Sequence, residues 1–401
     1  MGRVKRMAAI VVDNAKKTIQ GDIVFSLFMF SMANLVYLYC MRIAYVCSSL
    51  SLGGLELNHL KNALWMQQRG HEVFVYAPEN SPLFQKATQL GLKTLPMRRQ
   101  PKYYAWFSAL ILAKALRRQR ITHLFFRDNR DMSMVASIKA IMRNAITTAY
   151  FMEMQLGVRK RGILHSIRFS FLDFWFCPLP YLYEQVSTWT KIASHKVKLL
   201  PSGIDMNNIS SLSKEDARTN LQLPLNAFLI GLIGRFDAQK GQLLALKALS
   251  QIENKSIHLV LLGEPTKNER NDVLENIKRV MKENGLEKQV ILRPFMDDVT
   301  VFYSAMDALI MATNSETFGM VTLEAIAHKV PVIGSNSGGT PDLLNHGAFG
   351  LLFEPMNEID LAQKINQLYP NPICFDEPVW KAYMDQFNSE TVCKSIEGVV
   401  T

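Results

Sequence analysis

The sequence contains few cysteines, and no two of them have the close spacing that is typical of a metal-binding or disulfide motif. Five occur among 401 residues, with no Cys-x-x-Cys: Cys40, Cys47, Cys177, Cys374 and Cys393. This pattern argues against a disulfide framework and against a zinc site, and it is typical of a reducing compartment. Short internal repeats and low-complexity tracts are also lacking. Apolar residues make up 48% and charged residues 20%, which excludes a disordered chain and predicts a globular one.

Acidic residues are scarce in the first half only. Residues 41–200 hold 23 Lys and Arg against 8 Asp and Glu, whereas residues 201–401 hold 17 against 25. A chain of this length predicts two or three domains, and the change in charge favours a boundary near residue 195. The basic half suits an anionic partner: a nucleic acid, a phosphate-bearing ligand or an acidic membrane surface. The alternative is a basic face that is merely solvated.

One long uncharged run lies near the N-terminus. IVFSLFMFSMANLVYLYC, residues 23–40, is 18 residues long, at the short end for a membrane span. It is interpreted as a single-pass anchor, a cleaved signal peptide, a packed helix, or sequence upstream of a true start at Met41. A buried strand, MRIAYVC, follows with almost no linker, which favours the late start. Residues 1–40 are therefore predicted to be an extension.

After residue 41, short apolar strands alternate with helical stretches. RIAYVCSS, HEVFVYAP, LKTLPM and HLFFRD predict strands in the first half; AFLIGLIG, SIHLVLLGE, QVILRPF, DALIMAT and VPVIGS predict strands in the second. The part at 150–189 is interpreted as irregular and aromatic. Alternation of this kind predicts an α/β fold with two doubly wound parallel sheets and a cleft between them. The predicted domains are 41–195 and 196–370, and a helical tail, 371–401, is expected to pack back toward the first.

Two glycine loops follow predicted strands. In LIGRFDAQKG a strand ends at Gly234, and Arg235 and Lys240 come just before a helix that opens at Gly241. Two cations beside a helix N-terminus favour phosphate, although a solvated basic turn is the alternative. In SLGGLE the pair Gly53 and Gly54 would let a phosphate approach the backbone closely. An ordinary strand-to-helix turn explains that second loop equally well.

Two glutamates eight positions apart, Glu316 and Glu324, flank the start of another predicted helix. Helical rise would separate them by about 12 Å at most. Carboxyls that work as a retaining-type pair lie about 5 Å apart, so these two are too distant for that role or for sharing one metal. They suit separate polyol contacts, with the backbone amides at Phe318 and Gly319 near phosphates between them. A surface helix that merely carries glutamates is the alternative.

Taken in order, these motifs resemble those of one enzyme family. ETFGMVTLEA…VPVIGSNSGGTPDLL looks like the E-x7-E element of the retaining group-1 (family 4) glycosyltransferases, and GLIGRFDAQKG resembles their donor-phosphate loop. LLPSGID is similar to their interdomain entry and SLGGLE to their N-terminal glycine loop, so the resemblance covers about 41–365. It implies the GT-B fold, two facing Rossmann-like domains, and a nucleotide-diphospho-sugar donor without metal or other cofactor. The chain also lacks Asp-x-Asp, the metal–diphosphate signature of the other major glycosyltransferase architecture.

The resemblance implies a role for each matched residue. Arg235 and Lys240 would bind the diphosphate and stabilise its charge as it leaves, and Glu316 would hold donor-sugar hydroxyls, which makes these three the expected catalytic residues. Glu324 would bind the ribose. The remaining donor contacts would come from backbone at Gly53, Gly54, Phe318 and Gly319.

The sequence departs from the family pattern at three places. The sequence has Pro-Ser-Gly where the family usually has Pro-Asn-Gly, and it has Asp342 where Glu is commoner. Family members often carry a His after a strand of the first domain, but AYFMEMQLG has none. Glu153 and Gln155 in that segment are therefore the candidates for the acceptor side.

Basic and aromatic residues are concentrated in 97–107, 116–120 and 157–176. These stretches could lie against anionic lipid, or their aromatics could be core. The first interpretation predicts a cytoplasmic enzyme associated peripherally with the inner membrane face. RNA-type and helix-turn-helix motifs are missing, so no nucleic-acid partner is expected.

The expected function is transfer of a hexose-type sugar from a nucleotide diphosphate to a glycan or lipid-linked acceptor, with retention, in surface polysaccharide or lipopolysaccharide synthesis. Two alternatives stay open. One is an epimerase-like nucleotide-sugar enzyme that needs no acceptor, and the other is a silent glycan-binding protein on the same fold.

Overall fold

The computed structural model describes residues 40–99, 106–209, 212–265 and 272–401. The predicted extension, apart from Cys40, lies outside these residues, as does part of the basic stretch 97–107. No helix within the described ranges combines the length and the apolar character that crossing a bilayer requires.

The first sheet has seven strands, all parallel, in the order β3-β2-β1-β4-β5-β6-β7. Its strands are β1 (Arg42–Val46), β2 (Glu72–Ala77), β3 (Lys93–Pro96), β4 (His123–Phe126), β5 (Thr147–Phe151), β6 (Phe174–Cys177) and β7 (Val197–Leu199). The helices between them are α1 (Gly54–Gln68), α2 (Pro82–Gln89), α3 (Trp106–Arg118), α4 (Met132–Met142), α5 (Ile163–Ser170) and α6 (Pro180–Trp189). Strands such as HLFF are buried along their whole length, as expected where helices cover both faces.

The second sheet has six parallel strands in the order β10-β9-β8-β11-β12-β13. They are β8 (Phe228–Ile233), β9 (Ile257–Leu262), β10 (Val290–Arg293), β11 (Ala308–Met311), β12 (Val332–Ser335) and β13 (Gly350–Phe353). The helices of this half are α7 (Lys214–Asn220), α8 (Gln242–Ser250), α9 (Val273–Glu283), α10 (Thr300–Ala305), α11 (Met320–Ala327), α12 (Thr340–Leu343) and α13 (Glu358–Leu368), with α14 (Glu377–Asp385) and α15 (Ser389–Val400) after them. Two parallel sheets of this kind confirm the predicted α/β class.

The segment 150–189 is regular, contrary to the sequence prediction. It contains the end of β5, the strand β6 and the helices α5 and α6. The strand FWFC is too short and too uniformly apolar to show alternation. Its Trp175 is fully buried, and the ring packs edge-on against Tyr150 and Phe169 with centroids 4.8 and 5.0 Å away. Most of the aromatic residues there are therefore packed in or against the core, whereas Phe171 is exposed.

Two further strands, β7 and β13, were not predicted from the sequence. The strand β7 pairs with β6 in the first sheet, so that sheet continues past residue 195, where the boundary was predicted. Its three residues, VKL, follow a Lys-rich turn and carry too little apolar sequence to be recognised. The strand β13 was not predicted because its motif, GLLF, begins with glycine.

The chain passes between the two halves at two adjacent places. Ile204 forms a parallel bridge with Asn388, and its N–H donates to Phe387 O at 2.7 Å while its carbonyl accepts from Ser389 N at 3.0 Å. The second crossing, at Asn388, lies between α14 and α15. The helix α14 packs on the apolar cluster of the second sheet, and α15 packs on that of the first.

The helix α15 is attached to the first domain by one carboxylate. Arg69 donates to both oxygens of Glu397 at 2.6 and 2.7 Å, and His71 Nε2 donates at 2.9 Å. The ring can donate there because its Nδ1 accepts from Met41 N. Burial would raise the pKa of Glu397, but these hydrogen bonds outweigh burial and lower it.

We expect Glu397→Gln to lower the free energy of unfolding by about 1–3 kcal/mol, because hydrogen bonds to a charged group are lost. Glu390→Gln on the same helix removes only an exposed pair with Lys394 and should leave stability unchanged. The difference should be present at neutral pH. It should begin to fall as the pH drops below the ordinary glutamate pKa of about 4.3, where the unfolded chain takes up the proton first. It should be lost once the pH passes below the lowered pKa of the native carboxylate. Urea unfolding at pH 7 and pH 3.5 measures both, and equal stabilities at pH 7 would contradict the assignment.

Candidate functional site

The loop after β1 leads directly into a helix. Gly53 is the N-terminal cap of α1, and its N–H donates to Glu56 Oε2 at 2.8 Å. That amide is therefore already bonded within the protein. A Cβ built on Gly54 would have no other heavy atom within 4 Å, so packing does not demand glycine at that position.

The loop after β8 carries the two predicted cations. Arg235 follows Gly234, and a single helical turn, Ala238–Lys240, places Lys240 immediately before α8. Gly241 has φ of 78°, and a Cβ there would come within 2.5 Å of Ala312 O. The chain can therefore make this tight turn beside β11 only with glycine.

Glu316 lies in the loop after β11, and Lys240 reaches it from the loop after β8. The Lys240 Nζ is 3.5 Å from Glu316 Oε2, and Thr313 Oγ1 donates to the same oxygen at 3.3 Å. The backbone of Glu316 is fixed by a bridge to Gly338 and by the Gly339 N–H, which donates to its carbonyl at 2.8 Å. Residues 76 positions apart thus form one ion pair where two adjacent strands end.

Glu324 lies on α11, where side chains from both domains contact it. Tyr303 OH donates to Oε2 at 2.9 Å, and Lys61 Nζ of α1 lies 3.7 Å from Oε1. Burial, with the nearby Glu324 charge, raises the pKa of Tyr303 well above its ordinary value, so this hydroxyl remains a donor. Lys61 and Tyr303 were not predicted, because neither belongs to a motif. The one available signal was the position of Lys61 two helical turns after Gly54, which places both residues on the same face of α1.

Open cavities lie on the two sides of the cationic loop. One of about 320 Å³ is lined by Arg235 together with Leu52 of the first domain and Phe295 of the second. Another of about 690 Å³ is lined by Lys240, Glu316 and residues of the β11 loop. Pockets of this size hold small organic ligands.

Phe318 and Gly319 differ in what they can offer a ligand. The Phe318 side chain is buried in the core of the second domain, so only its backbone is available. Gly319, with φ of 87°, begins α11. The expected contacts of their backbone with a donor stay a prediction.

Gln155 approaches the Glu316 loop from the first domain. Its Nε2 donates to Ser315 Oγ at 2.8 Å and to Glu316 O at 3.3 Å. A second interdomain contact joins Tyr181 N–H to Asp342 Oδ2 at 2.9 Å. Gln155 therefore lies beside the candidate site, and Asp342, one of the departures from the family pattern, takes part in the contact between the domains.

Glu153 lies elsewhere, in a buried pair. It bonds Arg127, and Asn58 Nδ2 donates to both of its oxygens at 3.5 Å. Both charged side chains are buried, and burial raises the pKa of Glu153 although Arg127 opposes the shift. The structure does not bring Glu153 into contact with the Lys240–Glu316 pair, unlike Gln155.

The described residues contain no group of three or more His, Cys, Asp or Glu side chains arranged to hold a metal ion. The polar side chains form two Lys–Glu pairs, with Gln155 beside the Lys240–Glu316 pair and Tyr303 bonded to Glu324 of the other.

Two Rossmann-like parallel-sheet domains, with cations and carboxylates on the loops after the strands of the second, define the GT-B architecture. HepE of Anabaena in complex with UDP and glucose has this fold, with a TM-score of 0.75 at 20% identity over 89% of this chain and 98% of that one. A glycosyltransferase from Rickettsia africae aligns with a TM-score of 0.78 at 17% identity over 90% and 98%. The predicted fold class is confirmed.

The chain belongs to the group 1 glycosyltransferases. The family described as "Glycosyl transferases group 1" matches residues 213–379, and "Glycosyltransferase Family 4" matches residues 53–208. The family recognised from the motifs is therefore confirmed.

Curated relatives include the D-inositol 3-phosphate glycosyltransferases of Pseudarthrobacter chlorophenolicus and Corynebacterium jeikeium. The first is 25% identical over 183 residues, 44% of this chain and 43% of that one. The second is 28% identical over 181 residues, 43% of each. The match thus spans less than half the length of either relative.

We expect Gly241→Ala to lower the free energy of unfolding by about 2–4 kcal/mol, because the added carbon meets Ala312 O and the backbone is left-handed. Gly54→Ala serves as the control, with open space and no positive φ, and should keep wild-type stability. Chemical denaturation measures both. A stable Gly241→Ala would show that the loop after β8 is not held as described.

Proposed function

We propose that this protein is a retaining, metal-independent glycosyltransferase that moves a hexose-type sugar from a nucleotide diphosphate to a glycan or lipid-linked acceptor. The observation that carries the proposal is the Lys240–Glu316 pair at 3.5 Å. It combines a phosphate-binding cation with a polyol-binding carboxylate at adjacent strand ends. UDP-glucose is the first donor to test, because HepE, of the same fold, binds UDP and glucose.

Arg235 and Lys240 hold the diphosphate in this proposal. Both lie on the loop after β8, and Lys240 immediately precedes α8, whose N-terminal dipole favours an anion. Charge develops on the leaving diphosphate as its bond to the sugar breaks. Fixed cations at that position stabilise the transition state, the largest electrostatic contribution in such a reaction.

Glu324 binds the ribose hydroxyls. The hydrogen bond from Tyr303 orients its carboxylate, leaving the oxygen near Lys61 to accept from the ligand. Because Lys61 lies 3.7 Å away and is 46% exposed, its pairing with Glu324 is weak and yields readily to a ribose.

Glu316 holds hydroxyls of the donor sugar, beside the backbone of Phe318 and Gly319. Thr313 and Lys240 already orient one of its oxygens. In the reaction, the bond from the anomeric carbon to the β-phosphate oxygen breaks, and a bond to the acceptor oxygen forms on the same face. The proton of the acceptor hydroxyl passes to the departing phosphate oxygen, so no protein base is required.

The acceptor meets the first domain, where Gln155 reaches the Glu316 loop. A lipid-linked or surface glycan is supported by the basic charge of residues 41–200. It is also supported by a structural neighbour, a lipopolysaccharide outer core galactosyltransferase with a TM-score of 0.70. Such an acceptor would place the enzyme at the cytoplasmic face of the membrane. D-inositol 3-phosphate, which the curated relatives name, is the alternative acceptor for the assay.

We expect Lys240→Ala to weaken UDP binding about tenfold to a hundredfold, since a charge-assisted phosphate contact is lost. Lys278→Ala is the control, because it removes one positive charge from exposed surface of α9. Isothermal titration with UDP, and thermal shifts with UDP, GDP and ADP, measure the effect. If Lys240→Ala binds UDP as tightly as Lys278→Ala does, the phosphate assignment is wrong.

We expect Glu316→Gln to reduce sugar transfer at least a hundredfold while UDP affinity changes less than threefold, because its contact is with the sugar. Glu358→Gln is the control, since Glu358 lines the same cavity without contacting Lys240. Turnover of UDP-glucose is followed with and without each acceptor. Equal losses of transfer and of UDP binding would move Glu316 out of the sugar site. A changed sugar without any acceptor would indicate the epimerase alternative.

A further inference from the structure

A third cavity, of about 480 Å³, lies on the first domain and shares no lining residue with the two cavities of the candidate site. Its lining from α4 is made of small side chains, including Ala136 and Ala140. Large apolar side chains from the neighbouring helices complete it, with Trp106 on α3 and Leu164 and Ile167 on α5. We call it the α3–α4–α5 groove.

The helices α3 and α5, which line the groove, carry large apolar side chains that are open to solvent. Phe107 and Leu164 are 82% exposed and Ile163 is 74% exposed, and Ile111 also projects from α3. A single exposed leucine is ordinary, but a set of large aliphatic and aromatic side chains around one cavity marks an interaction site.

The segments that contain α3 and α5 are strongly basic, and the nearby Asp173 is paired with Lys139 of α4. Residues 106–126, which include α3, carry four Lys or Arg and no Asp or Glu, and the same holds for residues 154–172, which include α5. At the groove itself, Arg168 donates to Ser133 Oγ at 3.2 Å, and its guanidinium lies over Phe169, 5.3 Å from the ring centroid. An apolar cavity flanked by strongly basic segments suits a molecule with a hydrocarbon part and an anionic part.

We infer that the α3–α4–α5 groove is a membrane-docking site that takes an acyl chain of an anionic phospholipid, while the surrounding Lys and Arg contact the lipid headgroups. The inference deepens the proposed function and rests on it only in taking the acceptor to be membrane-borne. Docking through this face holds the first domain, which receives the acceptor, at the lipid surface.

The first experiment is co-sedimentation of the full chain with vesicles of phosphatidylcholine alone and with 30% phosphatidylglycerol, at low and high salt. We expect strong, salt-sensitive binding to the anionic vesicles. Leu164→Ser should weaken it about tenfold, because one exposed side chain no longer enters the lipid. Ile359→Ser is the matched control: Ile359 is also exposed at the second position of a helix, but in the second domain. Equal losses in the two variants would overturn the inference.

A second readout tests the groove itself and does not depend on residues 23–40, which all variants share. Anionic vesicles whose lipids carry brominated acyl chains should quench the fluorescence of Trp106. The Trp106→Phe variant should therefore lack the quenched part of the signal. Ala140→Trp, which fills the groove, should weaken vesicle binding about tenfold. Unchanged quenching in Trp106→Phe, or wild-type binding by Ala140→Trp, would overturn the inference.

Binding of UDP is measured on every variant as a check on folding. If the wild type does not bind vesicles although UDP still raises its melting temperature, the docking site is wrong. Retained vesicle binding without any shift from a nucleotide counts against the proposed transferase alone.

Discussion

The site depends on a single constraint, the common direction of the strands within each sheet. Because every strand pair is parallel, the loops that follow β8 and β11 emerge side by side at one edge of the second sheet. Lys240 and Glu316 meet there although 76 positions separate them. The loop after β1 contributes Leu52 to the cavity that Arg235 lines. Topology thus gathers side chains that no local sequence motif would join.

The charges gathered there are balanced before any ligand arrives. Glu316 is paired with Lys240 and Glu324 with Lys61, and each of these side chains remains 20–46% exposed. Partly exposed pairs are worth little, about 0–1 kcal/mol, so a ligand can replace either partner at small cost. The Arg127–Glu153 pair is the opposite case, because both of its side chains are buried. Removing one of them would leave the other charge buried without a partner.

Sequence reasoning located the loops but not every partner. Gly241 and Gly319 marked the starts of α8 and α11 because glycine is needed there for the backbone turn. The ion pairs could not be foreseen in the same way, since Lys61 and Tyr303 reach Glu324 through tertiary packing alone. Glu153 and Gln155 stand two positions apart in one segment, yet one is buried and the other crosses to Ser315. Sequence distance gives no information on that divergence.

The paired crossings at Ile204 and Asn388 restrict how the halves can move. A single linking strand would let one domain turn freely about it. Here two chain segments cross side by side and are joined by backbone hydrogen bonds, so a rotation of one domain against the other must deform both segments. The paired crossings therefore resist twisting of the domains more than a single linker would.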